Sequence, residues 1–122
     1  ISCRGDRLIV LDTMNFRVQI MDLNGTPVCS FGQPGRGGGD FSKMKGLVVT
    51  LSGLIFVSDV EFDNVQVFDM EGRFLSVFGH RGSQPGSFWM PSGIADCVDG
   101  VIAVADTYNR RIQLFSIQEV SQ

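Results

Sequence analysis

Apolar residues along this chain come in runs of four to six, rich in Val, Ile and Phe, each closed by Gly, Asn, Asp or Pro. Runs this short, with polar stops this frequent, predict β-strands joined by tight turns rather than helices. The runs are also ordered. Leu8-Ile9-Val10-Leu11-Asp12 returns as Ile55-Phe56-Val57-Ser58-Asp59 and again as Ile102-Ala103-Val104-Ala105-Asp106. Positions 12, 59 and 106 are 47 apart. A second block, Val18-Gln19-Ile20-Met21-Asp22, recurs as Val65-Gln66-Val67-Phe68-Asp69 and Ile112-Gln113-Leu114-Phe115-Ser116. Between them Gly25 matches Gly72, Phe31-Gly32 matches Phe78-Gly79, Phe41 matches Phe88, Gly46 matches Gly93 and Gly53 matches Gly100. An ungapped repeat of this kind marks tandem supersecondary units.

Each full unit reads as four strands. In the middle copy strand a is expected near Gly46 to Leu51, b near Leu54 to Ser58, c near Val65 to Asp69 and d near Phe74 to Phe78. Asn24-Gly25 is a strong hairpin signal, with Glu71-Gly72 its counterpart. Strand b is apolar at every position over Leu8 to Leu11 and Val101 to Ala105, which predicts burial on both faces. Four-stranded units with doubly buried strands point to an all-β fold of sheets stacked around an axis, a β-propeller. The units are 1–40 (partial), 41–87 (full) and 88–122 (partial). That register gives ten strands: b-c-d, a-b-c-d, a-b-c. A closed ring needs roughly four to eight such sheets. The chain is therefore expected to belong to a larger ring or to close one as a homodimer.

Composition narrows the class. The 122 residues are 43% apolar with ten Phe, a globular balance, and no run approaches the roughly 20 apolar residues of a membrane span. The net charge of −3 makes nucleic acid an unfavoured partner. The a–b and c–d turns should form an acidic rim with Asp22, Asp69, Glu71, Asp96 and Asp99. The d–a and b–c loops should form a mixed rim with Arg17, Arg36, Lys43, His80, Arg81, Arg110 and Arg111 beside Asp40, Glu61 and Asp63. Cys3, Cys29 and Cys97 form no C-x-x-C pair and read as small buried hydrophobes.

Asp12-x-x-Asn15-x-Arg17-Val18-Gln19-Ile20 and Asp106-x-x-Asn109-x-Arg111-Ile112-Gln113-Leu114 resemble the NHL repeat. So does Phe78-Gly79-x-x-Gly82-x-x-Pro85-Gly86-x-Phe88-x-x-Pro91-x-Gly93-Ile94-Ala95. The resemblance covers essentially the whole chain and implies a β-propeller, commonly of six blades. Phe62 to Phe68 and Tyr108 to Phe115 are similar to bacterial extracytoplasmic members, which implies a periplasmic or surface location, a natural carboxyl end and a cut amino end. The middle copy departs from the motif, with Phe62 for the Asn and Asn64 for the Arg.

The recurrent polar residues need no ligand. Asn15 and Asn109 are expected in the left-handed turn conformation. Asp12 with Arg17, and Asp106 with Arg111, are expected to bridge that turn. Asp59 lacks the Arg and is the strand-end carboxylate most open to a ligand.

Catalytic chemistry finds little to work with. One histidine, His80, gives no converging zinc ligand set. Gly35-Arg36-Gly37-Gly38-Gly39 lacks the Lys-Ser/Thr and helix of a phosphate loop. Arg4-Gly5-Asp6 reads as the turn into strand b. No cofactor and no metal site are expected. Trp89 and Met90 stand out, because Ser42 and Lys43 occupy their positions in the middle copy, and an aromatic on a polar rim anchors partners. Phe41 and Phe88 recur and read as core. The expected function is a non-catalytic protein-binding module. Its contact residues would be Phe16, Arg36, His80, Arg81, Trp89, Tyr108 and Arg110. RNA binding, as in tripartite-motif-like NHL proteins, and a metal-dependent lyase or hydrolase completed by further blades are the alternatives.

Overall fold

The computed structural model describes residues 1–117, with Asp99 described by its backbone alone. The last five residues of the third unit, and the Asp99 side chain counted on the acidic rim, lie outside the described residues. Three antiparallel sheets follow one another along the chain, each a meander of sequence neighbours. Sheet 1 holds β1 (Ser2–Arg4), β2 (Arg7–Asp12), β3 (Arg17–Asp22) and β4 (Pro27–Phe31). Sheet 2 holds β5 (Met44–Val49), β6 (Ile55–Asp59), β7 (Asn64–Phe68) and β8 (Phe74–Phe78). Sheet 3 holds β9 (Pro91–Asp96), β10 (Val101–Asp106) and β11 (Arg111–Ser116). Only single 3-10 turns, such as Thr13–Asn15 and Thr107–Asn109, interrupt the strands; the described residues contain no α-helix.

Eleven strands are present among the described residues rather than the expected ten. The addition is β1, which pairs with β2 through Ser2↔Ile9 and Arg4↔Arg7. Its residues stand 47 before Val49 to Leu51 of the expected strand a, so the repeat carries this strand although the expected register left it out. Gly5, at φ +60, turns the chain from β1 into β2; in the next unit the left-handed glycine is Gly53 (φ +87), one place later in the repeat register.

The sheets pack face to face. Ile55 and Val57 of β6 join Ile9, Val18 and Ile20 in the core between sheets 1 and 2. Phe56, with Val65 and Val67, joins Ile102 and Val104 between sheets 2 and 3. Successive residues of β6 thus enter opposite cores, which is why an uninterrupted apolar run suits it. Two-faced burial holds for sheet 2 alone. Leu8, Val10, Ala103 and Ala105 are half-buried. Ile112 and Leu114 are 70% and 67% exposed, whereas their repeat equivalents Val65 and Val67 are 0% and 7% exposed. The outer faces of sheets 1 and 3 have no neighbouring sheet among the described residues.

A phenylalanine trio locks each pair of sheets. Phe68 stands 4.6 Å from Phe31 and 5.6 Å from Phe41 between ring centroids. Phe115 stands 4.9 Å from Phe78 and 5.6 Å from Phe88. Burying a Phe stabilises by about 1.5–3 kcal/mol, so Phe41 and Phe88, wholly buried, are core as their recurrence predicts. The preceding Phe-Gly step is forced by the same trio. Gly32 and Gly79 have φ of +109 and +91, and a Cβ on either would strike the ring of Phe41 or Phe88. Buried Gly46 lets β5 press against Ser92 of β9. Its N–H donates to Ser58 Oγ (2.8 Å), whose hydroxyl donates onward to the Ser92 carbonyl.

The cysteines correct one expectation. Cys29 is half-buried, and burial pushes its thiol up, but Cys3 and Cys97 are exposed. They share one repeat register with Thr50, which alone of the three is buried.

Candidate functional site

The b–c turns and d–a loops meet on one rim, as their mutual bonds show. Thr13 Oγ1 donates to the Met44 carbonyl (3.3 Å), Val60 N–H to Lys43 (2.9 Å) and Tyr108 N–H to Trp89 (3.0 Å). At each b–c turn a strand-end aspartate holds the corner. Asp12 accepts from Arg17 Nε (2.8 Å), Asn15 Nδ2 (3.1 Å) and Gln19 Nε2 (3.1 Å). Asp106, wholly buried, accepts from Arg111 Nε (2.8 Å), Asn109 Nδ2 (2.9 Å), Gln113 Nε2 (3.0 Å) and the Trp89 N–H (2.7 Å). The expected Asp–Arg bridges are both present.

The charge states follow. The hydrogen bond from Arg17, then that from Asn15, holds the Asp12 carboxyl below the usual carboxylate range. Burial acts to raise Asp106, but the Trp89 N–H, Asn109, Arg111 and Gln113 outweigh it, and that carboxyl also lies low.

Two expectations fail here. The left-handed residues are not Asn15 and Asn109 but their successors, Phe16 (φ 57) and Arg110 (φ 56), with Asp63 (φ 54) in the middle unit. The Asn belongs to the 3-10 turn, and its side chain is drawn back to the aspartate, so the following residue makes the left-handed exit. Asp59 is not open to a ligand. It is wholly buried and accepts N–H groups from Ser42 (2.8 Å), Lys43 (3.2 Å), Glu61 (3.0 Å) and Phe62 (3.3 Å). A carboxylate has about four acceptor sites, and these donors fill them.

The structure gathers part of the proposed contact set. Trp89 and Tyr108 stack edge to face at 5.2 Å, and the Arg81 guanidinium lies 5.6 Å over the Trp89 ring. Trp89 is 40% and Tyr108 55% exposed. Beneath them Arg81, Gly82, Ser83, Trp89 and Asn109 line a hollow of about 280 Å³. The backbone under the pair is fixed, since Trp89 N–H is held by Asp106 and Tyr108 N–H by Trp89. Met90, left-handed at φ 59, donates its N–H to Asp63 Oδ1 (2.7 Å). Arg110 follows Asn109 at the turn and is exposed. His80 is an exposed loop residue whose Nε2 lies 3.4 Å from Ser87 Oγ. Arg36 belongs to the equivalent loop one repeat earlier, and Phe16 to the b–c turn two repeats earlier. Sequence reasoning missed Asn109 as a wall of the hollow, because its motif role masked it.

Elsewhere a hollow of about 450 Å³ lies between the outer edges of sheets 2 and 3, walled by Phe56, Leu75, Phe78 and Phe115. Another, of about 680 Å³, sits at the opposite rim beside Thr50, Asp96 and Cys97. Among the described residues no three His, Cys, Asp or Glu side chains converge as metal ligands. Among the described residues no helix is long and apolar enough to cross a membrane.

No family model and no curated protein matches the chain. Solved structures do. One is a crystal structure of a Bacteroides fragilis protein that carries the provisional name of an exported protein. It superposes with a TM-score of 0.66 at 22% identity over 82% of this chain. The likeness shows a shared fold, and the chain spans 27% of that protein's length.

Proposed function

We propose that the chain is part of an NHL-type β-propeller and serves as a non-catalytic module that binds another protein through the rim of d–a and b–c loops. The observation that carries this is the Arg81–Trp89–Tyr108 cluster. In a repeat protein, residues that the fold requires recur, and these do not. Pro34 and Ser42 stand at the equivalents of Arg81 and Trp89, and Met14 and Glu61 at that of Tyr108. Half-exposed aromatics on a fixed backbone, with an arginine stacked on one of them, are what binding hot spots are made of. The Bacteroides neighbour's name agrees with the NHL resemblance on an extracytoplasmic setting.

RNA is the second reading, and one observation favours it. The strand-end aspartates turn inward to their hydrogen bonds, so Arg36, Lys43, Arg81 and Arg110 are the exposed charges beside the aromatics, against Glu61. Bases stack on such surfaces. A displayed peptide library and a single-stranded RNA pool, each selected against the protein, test both readings. The protein reading expects peptides whose affinity drops at least tenfold in the Trp89→Ala/Tyr108→Ala variant and changes little with salt. RNA ligands that weaken steeply with salt support the alternative. Ligands indifferent to both aromatics overturn the site.

A further inference from the structure

Five of the chain's eight arginines are engaged in ion pairs: Arg4, Arg7, Arg17, Arg73 and Arg111. Arg81 is not. Among the described residues its guanidinium meets no carboxylate and no hydrogen-bond acceptor, and its one partner is the Trp89 ring, 5.6 Å away. A stacked guanidinium uses its face, so the in-plane fork of N–H groups stays open to a ligand.

The loop that carries it is fixed. On either side of Arg81 the Phe88 N–H donates to the His80 carbonyl (2.9 Å) and the Gly82 N–H to the Phe88 carbonyl (2.9 Å). Sheet 3 grips the rest. Asn109 Nδ2 donates to the Gly82 carbonyl (2.8 Å), and Arg111 to the carbonyls of Ser83 (2.9 Å), Gln84 (2.9 Å) and Ser87 (3.0 Å). Gln113 Nε2 donates to the Ser87 carbonyl (2.7 Å), while its Oε1 accepts from the Gly86 N–H (2.9 Å). The cation and the two rings thus stand on a frame that needs little ordering before a partner arrives. Their openness does not come from the place of sheet 3 in the chain. Met14 and Glu61, the repeat equivalents of Tyr108, are exposed although a further sheet follows each of them.

Charge, donors and size define what fits. Arg81 and Arg110 are exposed, whereas Asp106 and Asp63 are buried and hydrogen-bonded within the chain. The open surface is therefore positive, and the Trp89 face that would attract a cation already holds one. The N–H groups of Gly82, Trp89, Tyr108 and Arg110 all donate inside the chain, so they form no nest for a phosphate or a chain terminus. The hollow of about 280 Å³ lies just below the roughly 300–1,000 Å³ of small-molecule sites. The geometry points to an acidic residue of a partner protein as the occupant, its carboxylate on the Arg81 fork and an adjacent apolar side chain against the Tyr108 ring. This rests on the protein-binding reading of the same cluster and adds the chemistry of the partner. An arginine–carboxylate pair is bidentate and about twice as strong as a neutral hydrogen bond. Asn109 Oδ1 and the Ser83 hydroxyl, both without a partner among the described residues, flank it and suit a peptide backbone.

The test takes peptides selected from a displayed random library and reads their affinity by the fluorescence of Trp89, the only tryptophan. Selected peptides should share an Asp or Glu next to an aromatic or aliphatic residue. Changing that acid to its amide, which leaves the protein untouched, should weaken binding at least tenfold. Arg81→Gln should remove the difference between acid and amide peptides. Arg7→Gln, which takes the same charge from the a–b turn of sheet 1 at the opposite rim, should keep it. Salt should weaken the acid peptides only slightly, because one ion pair releases few ions compared with a phosphate backbone. Peptides that need Trp89 and Tyr108 yet bind equally as acid and amide overturn the proposal and leave the protein-binding reading standing. Basic peptides do the same. RNA ligands, or a library that yields no peptide, overturn both.

Discussion

The middle and third units solve the same corner in different ways. At Asp106 the wholly buried carboxylate meets one backbone N–H, from Trp89, and three side chains, Asn109, Arg111 and Gln113. At Asp59 the equally buried carboxylate meets four backbone N–H groups and no side chain. One contact is shared, since the N–H of Ser42 is the repeat equivalent of that of Trp89. The arginine of the motif is thus one way of satisfying a buried carboxylate, and a tighter wrap of backbone is another. What the middle unit loses is the second use of arginine, the clamp on the incoming loop. There Asp40 closes the loop on itself, accepting from Gly37 N–H (2.9 Å) and Gln33 Nε2 (3.0 Å). Both loops are held by a glutamine of the next sheet, but the one that bears Trp89 is also held by its arginine.

The sharpest break in this comparison is Asp106→Ala. It leaves the half-buried Arg111 guanidinium without its counter-charge and frees the corner that holds the Trp89 N–H. Removing one partner of a buried pair costs about 3–5 kcal/mol. Denaturant unfolding should show that loss, together with weaker protection of the Trp89 and Tyr108 amides from hydrogen exchange.

Asp59→Asn should cost less, about 2 kcal/mol, because one carboxylate oxygen becomes an NH2 turned toward backbone donors. The same unfolding measurement reads it. If Asp59→Asn is neutral, the N–H wrap is not what holds that corner.

How much of this was legible follows the range of each interaction. The strands, the Gly-marked turns and the core role of Phe41 and Phe88 sit in local pattern and in the repeat, and the sequence carries both. β1 was missed although the repeat carries it: Ser2 to Arg4 stand 47 before Val49 to Leu51 of the expected strand a, but three residues are too short to read as a strand by themselves. The left-handed residue was placed one position early because Asn suggests that conformation, while here its amide is occupied by the aspartate. Arg111's grip on Ser83, Gln84 and Ser87 crosses 24 to 28 residues. No motif spacing encodes it. Trp89 was nominated for its departure from the repeat and Tyr108 for its place on the same rim, but only the fold brings the two rings together and Arg81 over one of them.

The gentlest probe sharpens the contrast between Asp106 and Asp12. Arg17 is the leading cause of the low Asp12 carboxyl, so Arg17→Gln should move that carboxyl clearly back toward the ordinary range. For Asp106 the leading lowering group is the Trp89 N–H, so Arg111→Gln should move it less. Carbon-detected titration of the two carboxyls reads both shifts. The sign for stability follows from the direction. Both groups titrate lower folded than unfolded, where Asp sits near about 3.9. Their contribution is complete above that value and fades as pH falls through the folded values. Asp69 adds in the same direction, its burial outweighed by the Arg73 backbone and side chain. Stability should therefore be flat in these groups from neutral pH down to about 5 and decline below about 4. In Arg17→Gln the acid decline should be shallower, while the neutral-pH unfolding midpoint stays within measurement scatter, because an exposed pair contributes little. A loss at neutral pH as large as that of Asp106→Ala would mean that Arg17 is already clamping a loop, as Arg111 does.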